Sequence, residues 1–230
     1  MDVRRLKAVV FDLDGTVCFY SLGVADGLVL SLRETGSSPT LLGEIGQAEE
    51  RFEEIFTQIE RVPDPTPLRE RLFSRLLGEH GVEDPPLTRA LASAYARVRT
   101  ESLRLFPGAR NLLSLLRSRY RLGLLTNGPS ELQWEKIRVL SLAPCFSAIV
   151  VSGDLGIYKP DPRIFTHVLM RLGVRPCETL HVGDSLEADV VGAKGAGLGA
   201  AWVRPSEASS DGVRPDLAVT AVAELREALL

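Results

Sequence analysis

From Phe106-Pro107-Gly108 onward the chain alternates short apolar runs with amphipathic stretches of helical period, and this constrains its fold more than any other feature. The runs 121–126, 148–151, 179–182 and 199–203, with a last one near 217–219, predict strands. Helices are predicted over 109–119, 130–141, 161–173, 186–196 and 221–229. Strands that are apolar at nearly every position have no face to show to water. They belong in a parallel sheet covered by helices on both sides. An earlier run, 7–12, supplies one more strand. The expected class is α/β, a parallel Rossmann-like three-layer sandwich.

Between about 18 and 104 the pattern changes to helical periodicity alone, with helices expected around 22–35, 41–60, 67–79 and 87–103. Turn signals separate them: Gly36-Ser-Ser-Pro39, Pro63-Asp-Pro-Thr-Pro67, Gly81 and Asp84-Pro-Pro86. Pro67 and Pro86 suit a first helical turn, with Thr66 or Asp84 as caps. No strand is expected here. The organisation is therefore an α/β core over 1–17 and 105–230, interrupted by an all-helical domain over 18–104. In open α/β sheets ligands bind beyond the carboxyl ends of the strands. The insertion leaves the core at such an end, the right place for a lid.

Composition narrows the function classes. A net charge of −3 without a clustered Lys/Arg run offers no face for a nucleic-acid backbone. Cys18, Cys145 and Cys177 fit neither a disulfide framework nor a zinc pattern, and His80, His167 and His181 are scattered. No run of about 18 apolar residues predicts a membrane span, and the N-terminus leads into a strand rather than a signal peptide. The expectation is a cytoplasmic protein, monomer or homodimer. Lysines are scarce: Lys7, Lys136, Lys159 and Lys194 stand against 23 arginines.

The strand ends carry the chemistry. Ala8–Phe11 delivers Asp12 and Asp14 to a turn that Gly15 permits, followed by Thr16. Two neighbouring acids in different surroundings can divide into ionised and protonated roles. Strand 121–126 ends in Thr126-Asn127-Gly128, a hydroxyl and backbone amides entering a helix, which suits an oxyanion or phosphate; as helix caps the same residues have a purely structural reading. Lys159 precedes Pro160 and is biased to an extended conformation in its loop. Strand 179–182 ends in Gly183-Asp184, with Glu187 and Asp189 in the next helix, where acids also complement the helix dipole. Several carboxylates and a lysine round one sheet edge form a hard-oxygen site that suits Mg²⁺ better than zinc.

Taken in order, Asp12-Leu-Asp14-Gly-Thr16, Thr126-Asn-Gly, Lys159-Pro-Asp-Pro and Gly183-Asp184-Ser-Leu-Glu-Ala-Asp189 resemble the four motifs of the haloacid dehalogenase superfamily. The insertion resembles that family's helical C1-type cap. The resemblance implies a Mg²⁺-dependent phosphohydrolase acting on a small phosphorylated metabolite through an aspartyl-phosphate. Asp12 would be the nucleophile, and Asp14 would protonate the leaving oxygen and then deprotonate water. The Asp12 carboxylate, the Asp14 carbonyl and Asp184 would hold metal. Asp189 would ligate it directly, through water, or orient Lys159 instead. Thr126 and the Asn127 amide would bind phosphoryl oxygens, and Lys159 would neutralise their charge. Three alternatives are a phosphosugar mutase, a 2-haloacid dehalogenase and a non-catalytic phosphometabolite sensor. The dehalogenases lack an acid at the Asp14 position, and a sensor has no need of both acids.

Overall fold

The computed structural model describes residues 3–38, 40, 41, 43, 49–204 and 212–230. The chain divides into two compact units, one formed by the chain up to Phe19 together with Arg104–Leu230, the other by Tyr20–Leu103.

The first unit is built on six strands: β1 (Ala8–Phe11), β4 (Arg121–Thr126), β5 (Ala148–Val151), β6 (Thr179–Gly183), β7 (Gly199–Val203) and β8 (Leu217–Val219). They lie in the order β5-β4-β1-β6-β7-β8, and every neighbouring pair is parallel. The parallel α/β sheet expected from the apolar runs is the sheet observed. All four residues of β1 and all five of β6 are buried, so the central strands are covered on both faces. Ala8, Val10, Leu125, Val150, Ala200 and Trp202 pack with Ile164, Phe165, Val168 and Leu172 of a helix over Pro162–Leu172 into one core cluster. That helix starts where its sequence says it should. Asp161 accepts the Arg163 N–H at 2.9 Å as N-cap, and Pro162 fills the first helical position, where a missing donor costs nothing.

The second unit is helical: α1 (Val24–Glu34), α2 (Glu49–Ile59), α3 (Leu68–Glu79) and α4 (Pro85–Ser102). Its core includes Phe52, Phe73 and Tyr95, whose rings meet pairwise at centroid distances of 5.2–5.9 Å. Asp84 caps α4 by accepting the Leu87 N–H at 2.9 Å, ahead of two prolines in the first turn.

Local differences from the expected elements have physical reasons. Two short strands, β2 (Cys18–Tyr20) and β3 (Leu103–Leu105), pair with each other where no strand was expected; each has three residues, too few for a period to register. Pro67 stands before α3 rather than inside it, and Thr66 does not cap it. The helix expected over 41–60 is described from Glu49, part of its first half falling outside the described residues. The helix expected over 186–196 is a π-helical turn, Leu186–Val191, followed by a short α-helix, Gly192–Gly195. The Ser185 side chain caps that π-turn, and its backbone carbonyl accepts from both Asp189 and Val190.

Candidate active site

The sheet order puts β1 between β4 and β6, so the carboxyl ends of these three strands meet. Asp12 follows the last residue of β1 and stays in register, donating its N–H to the Val182 carbonyl at 2.8 Å. Thr126 closes β4, and Asp184 follows Gly183 at the end of β6. Between Asp12 and Asp14 the strand gives way to a turn, and Gly15 takes φ 72°. A Cβ at Gly15 would lie 2.1 Å from an Asp184 oxygen, so only glycine lets the two acidic segments approach.

At the centre lies a buried relay. The Lys159 ammonium is 2.7 Å from Asp12 Oδ1 and 2.7 Å from Asp189 Oδ1. Asp189 Oδ1 also meets His181 Nε2 at 2.9 Å, and its Oδ2 accepts the Ser185 N–H at 3.0 Å. Burial lowers the His181 pKa, so the ring is neutral and donates from Nε2. Burial would also lower Lys159, but Asp12 and Asp189 outweigh it and hold the ammonium above the usual lysine range. Asp189 goes the other way: burial would raise it, and Lys159 and His181 keep it ionised. One cation cannot serve two buried anions equally. The surplus falls on Asp12, whose pKa burial pushes up to about 8 against the pull of Lys159.

Lys159 is itself held by Asn127. The Asn127 carboxamide accepts the Lys159 N–H at 2.8 Å and donates to the Lys159 carbonyl at 3.0 Å. The Asn127 side chain therefore brackets the lysine backbone. The loop after Thr126 is pinned from a second side, because buried Ser152 accepts the Gly128 N–H at 2.9 Å and Gly128 accepts the Gly153 N–H at 3.1 Å.

Asp14 is more open, its side chain 39% exposed. Its carboxylate turns to α6, the helix over Ser130–Val139, where α5 is the helix Ala109–Leu116. Lys136 Nζ lies 2.8 and 2.7 Å from its two oxygens, and Gln133 Nε2 lies 2.9 Å from Oδ2. Asp184 accepts from Thr16 at 3.3 Å, and its pKa is raised, first by burial and then by Asp189. Arg204 Nη2 stands 4.0 Å from the other Asp184 oxygen.

A carboxylate oxygen from each of Asp12, Asp184 and Asp189 lies within 4.8 Å of the others. Hard oxygen donors held that close, two of them pushed toward protonation by burial, fit a divalent cation. The Asp14 carboxylate is not in that group. Gln133, Lys136 and His181 were not singled out as site residues from sequence. For Lys136 a signal existed, since it is one of four lysines and lies one helical turn beyond Gln133 on the helix that follows Thr126-Asn-Gly.

A family model for haloacid dehalogenase-like hydrolases matches residues 6–197. A phosphoserine phosphatase of Thermus thermophilus is 43% identical over 169 residues, 71% of this chain and 65% of that protein, so the match spans just under two thirds of that relative. A glyceraldehyde 3-phosphate phosphatase of Methanothermobacter thermautotrophicus is 31% identical over 227 residues, 96% of this chain and 97% of that one. Among solved structures, the HAD-hydrolase YfnB of Bacillus subtilis bound to magnesium covers 98% of this chain and 99% of its own, with a TM-score of 0.70 and 28% identity.

Proposed function

The chain belongs to the haloacid dehalogenase-like hydrolases, and from that premise we propose that it is a Mg²⁺-dependent phosphatase of a small phosphorylated metabolite, working through an aspartyl-phosphate. The observation that carries this reading is the pairing of Asp12 and Asp14, one buried against Lys159 and one open to solvent, at the joined ends of β1, β4 and β6. The relatives named for phosphate-ester hydrolysis support the reaction class.

Asp12 attacks phosphorus in line with the ester oxygen, forming an O–P bond as the P–O bond to the leaving group breaks. Lys159, fixed by Asn127, stabilises charge on the phosphoryl oxygens, and the Thr126 hydroxyl and the Asn127 amide bind them. Asp14 gives its proton to the departing oxygen and then takes one from the water that hydrolyses the acyl-phosphate. Asp12 and Asp184, with the Asp14 carbonyl, would hold Mg²⁺, which when bound would supply positive charge that lets an anionic nucleophile meet an anionic ester. Asp189 acts on Lys159 through its 2.7 Å contact, in preference to the metal. The helical unit Tyr20–Leu103 serves as the cap that selects substrate. Asp14 also separates this reading from dehalogenation, which requires no acid for a halide leaving group.

Release of inorganic phosphate from a panel of phosphate monoesters, with Mg²⁺ and with EDTA, tests the reading. Turnover should require Mg²⁺ and vanish in Asp12→Asn. An active Asp12→Asn enzyme would overturn the nucleophile, and a folded wild type that releases no phosphate would overturn the phosphatase.

A further inference from the structure

Asp14 sits in the turn that Gly15 permits, where its own segment offers its carboxylate a weak donor, the Cys18 thiol 4.0 Å from Oδ1. A fixed acid needs outside support there, and α6 supplies it. Gln133 and Lys136 are three residues apart and share one helix face. Lys136 contacts both Asp14 oxygens at 2.8 and 2.7 Å, and Gln133 donates to Oδ2 at 2.9 Å. The Lys136 side chain is only 12% exposed, although lysine gives up more rotamer freedom on burial than most residues. In a chain that otherwise uses arginine, two of the four lysines grip the two carboxylates of one motif: Lys159 on Asp12 and Lys136 on Asp14.

The same glutamine ties the acid to the turn after β4. Its Nε2 reaches the Thr126 hydroxyl at 3.1 Å and the Asn127 carbonyl. Its orientation is set by its neighbours, because the Asp14 carboxylate and the Asn127 carbonyl can only accept. Gly128 makes the room: at φ 136° it carries no Cβ, and one placed there would lie 2.6 Å from Gln133 Nε2.

We propose that Lys136 is a positioning residue for Asp14. With Gln133 it fixes the carboxylate relative to Thr126 while leaving part of it exposed to a leaving group and to water. The proposal rests on the phosphatase reading for its kinetic consequence and not for its geometry. Lys136→Met keeps the stem and removes the ammonium. In a single turnover of an alkyl phosphate monoester, whose alkoxide needs a proton to depart, the rate of leaving-group release should fall about 100-fold with KM little changed. On p-nitrophenyl phosphate, whose leaving group departs without a proton, the loss should be at least tenfold smaller, and Lys136→Arg should recover much of the alkyl-ester rate. Equal losses on both esters, or a change confined to KM, would overturn the proposal. A crystal structure of Lys136→Met supplies a readout free of activity. The Asp14 carboxylate should leave Gln133, and an unmoved Asp14 would overturn the proposal. A wild type inactive on both esters would sink the phosphatase reading, and the crystallographic comparison would still decide the positioning role.

Discussion

Asp12 and Asp189 share one buried ammonium, and the two carboxylates differ in what else supports them. Asp189 also holds His181 Nε2 and the Ser185 N–H, whereas Asp12 carries the unbalanced charge and a pKa raised to about 8 by burial. Their neutral replacements should therefore act in opposite directions. In EDTA at pH 7, Asp12 must take up a proton on folding, a cost that Asp12→Asn removes while leaving the Lys159–Asp189 pair intact, so its Tm should equal or exceed that of the wild type. Asp189→Asn strips a buried ammonium of one partner and should cost about 3–5 kcal/mol, or roughly 6–20 °C in a chain of this size. Thermal melts of the two variants decide it, and a Tm loss in Asp12→Asn as large as that in Asp189→Asn would refute this division of charge. Asp12, Asp14, Asp184 and Lys159 were legible in the sequence because each stands at a strand end or in the loop beyond, where a polar residue interrupts an apolar pattern; Asp189, inside the following helical turn, was legible only through the motif that contains it. Gln133, Lys136 and His181 were not. Gln133 and Lys136 sit on a helix, where polar residues are unremarkable, and His181 lies inside β6, where its direction depends on register with Asp189. Contact distances assign all three; the scarcity of lysines was a sequence signal for Lys136 alone.

At the scale of elements, the end of the sheet opposite the site is tied by Glu178, which precedes β6. Its carbonyl accepts the Lys7 N–H at 2.8 Å just before β1, and its carboxylate pairs with Arg175 at 2.7 Å and Lys7 at 2.8 Å. Arg175 first, then Lys7, hold the carboxyl well below the usual range. A depressed carboxyl adds stability that is fully present above its unfolded value, about 4.3, and is lost as pH falls through the folded value. Glu178→Gln should thus lower the Tm at pH 7, and its deficit against wild type should shrink as pH falls from about 4.5 toward 3. A deficit that holds constant or widens on acidification would contradict the assignment. Elements with a sustained period were legible: the six strands of the sheet came through, although β8 has only three residues, because the longer runs around it set the pattern. The β2–β3 ribbon was invisible for want of length. The π-turn at Leu186–Val191 escaped because its helical period differs little over six residues from that of an α-helix; what sets it apart is the Ser185 carbonyl accepting two successive N–H groups.

On the scale of the molecule, the chain crosses from one unit to the other along β2 and returns along β3. Ser21 donates its N–H to the Ser102 carbonyl at 2.9 Å, so the two ends of the helical unit lie side by side. Every contact described for Asp12, Asp14, Thr126, Lys136, Lys159 and Asp184 is made within the sheet unit, and the aromatic cluster of Phe52, Phe73 and Tyr95 lies within the other. An insertion whose ends are adjacent and whose core is its own can be removed without tearing the host sheet. Replacing residues 22–101 by a linker of about four glycines and serines, a length that joins paired strands, should leave a sheet unit that melts cooperatively. It should retain phosphate release from a small aryl ester, because the reacting groups remain, and lose discrimination across a panel of phosphorylated metabolites. Loss of cooperative melting would show that the core depends on the insertion for its fold. A folded core that still ranks the panel as the full chain does would place the specificity determinants at the sheet edge and remove the helical unit from substrate choice.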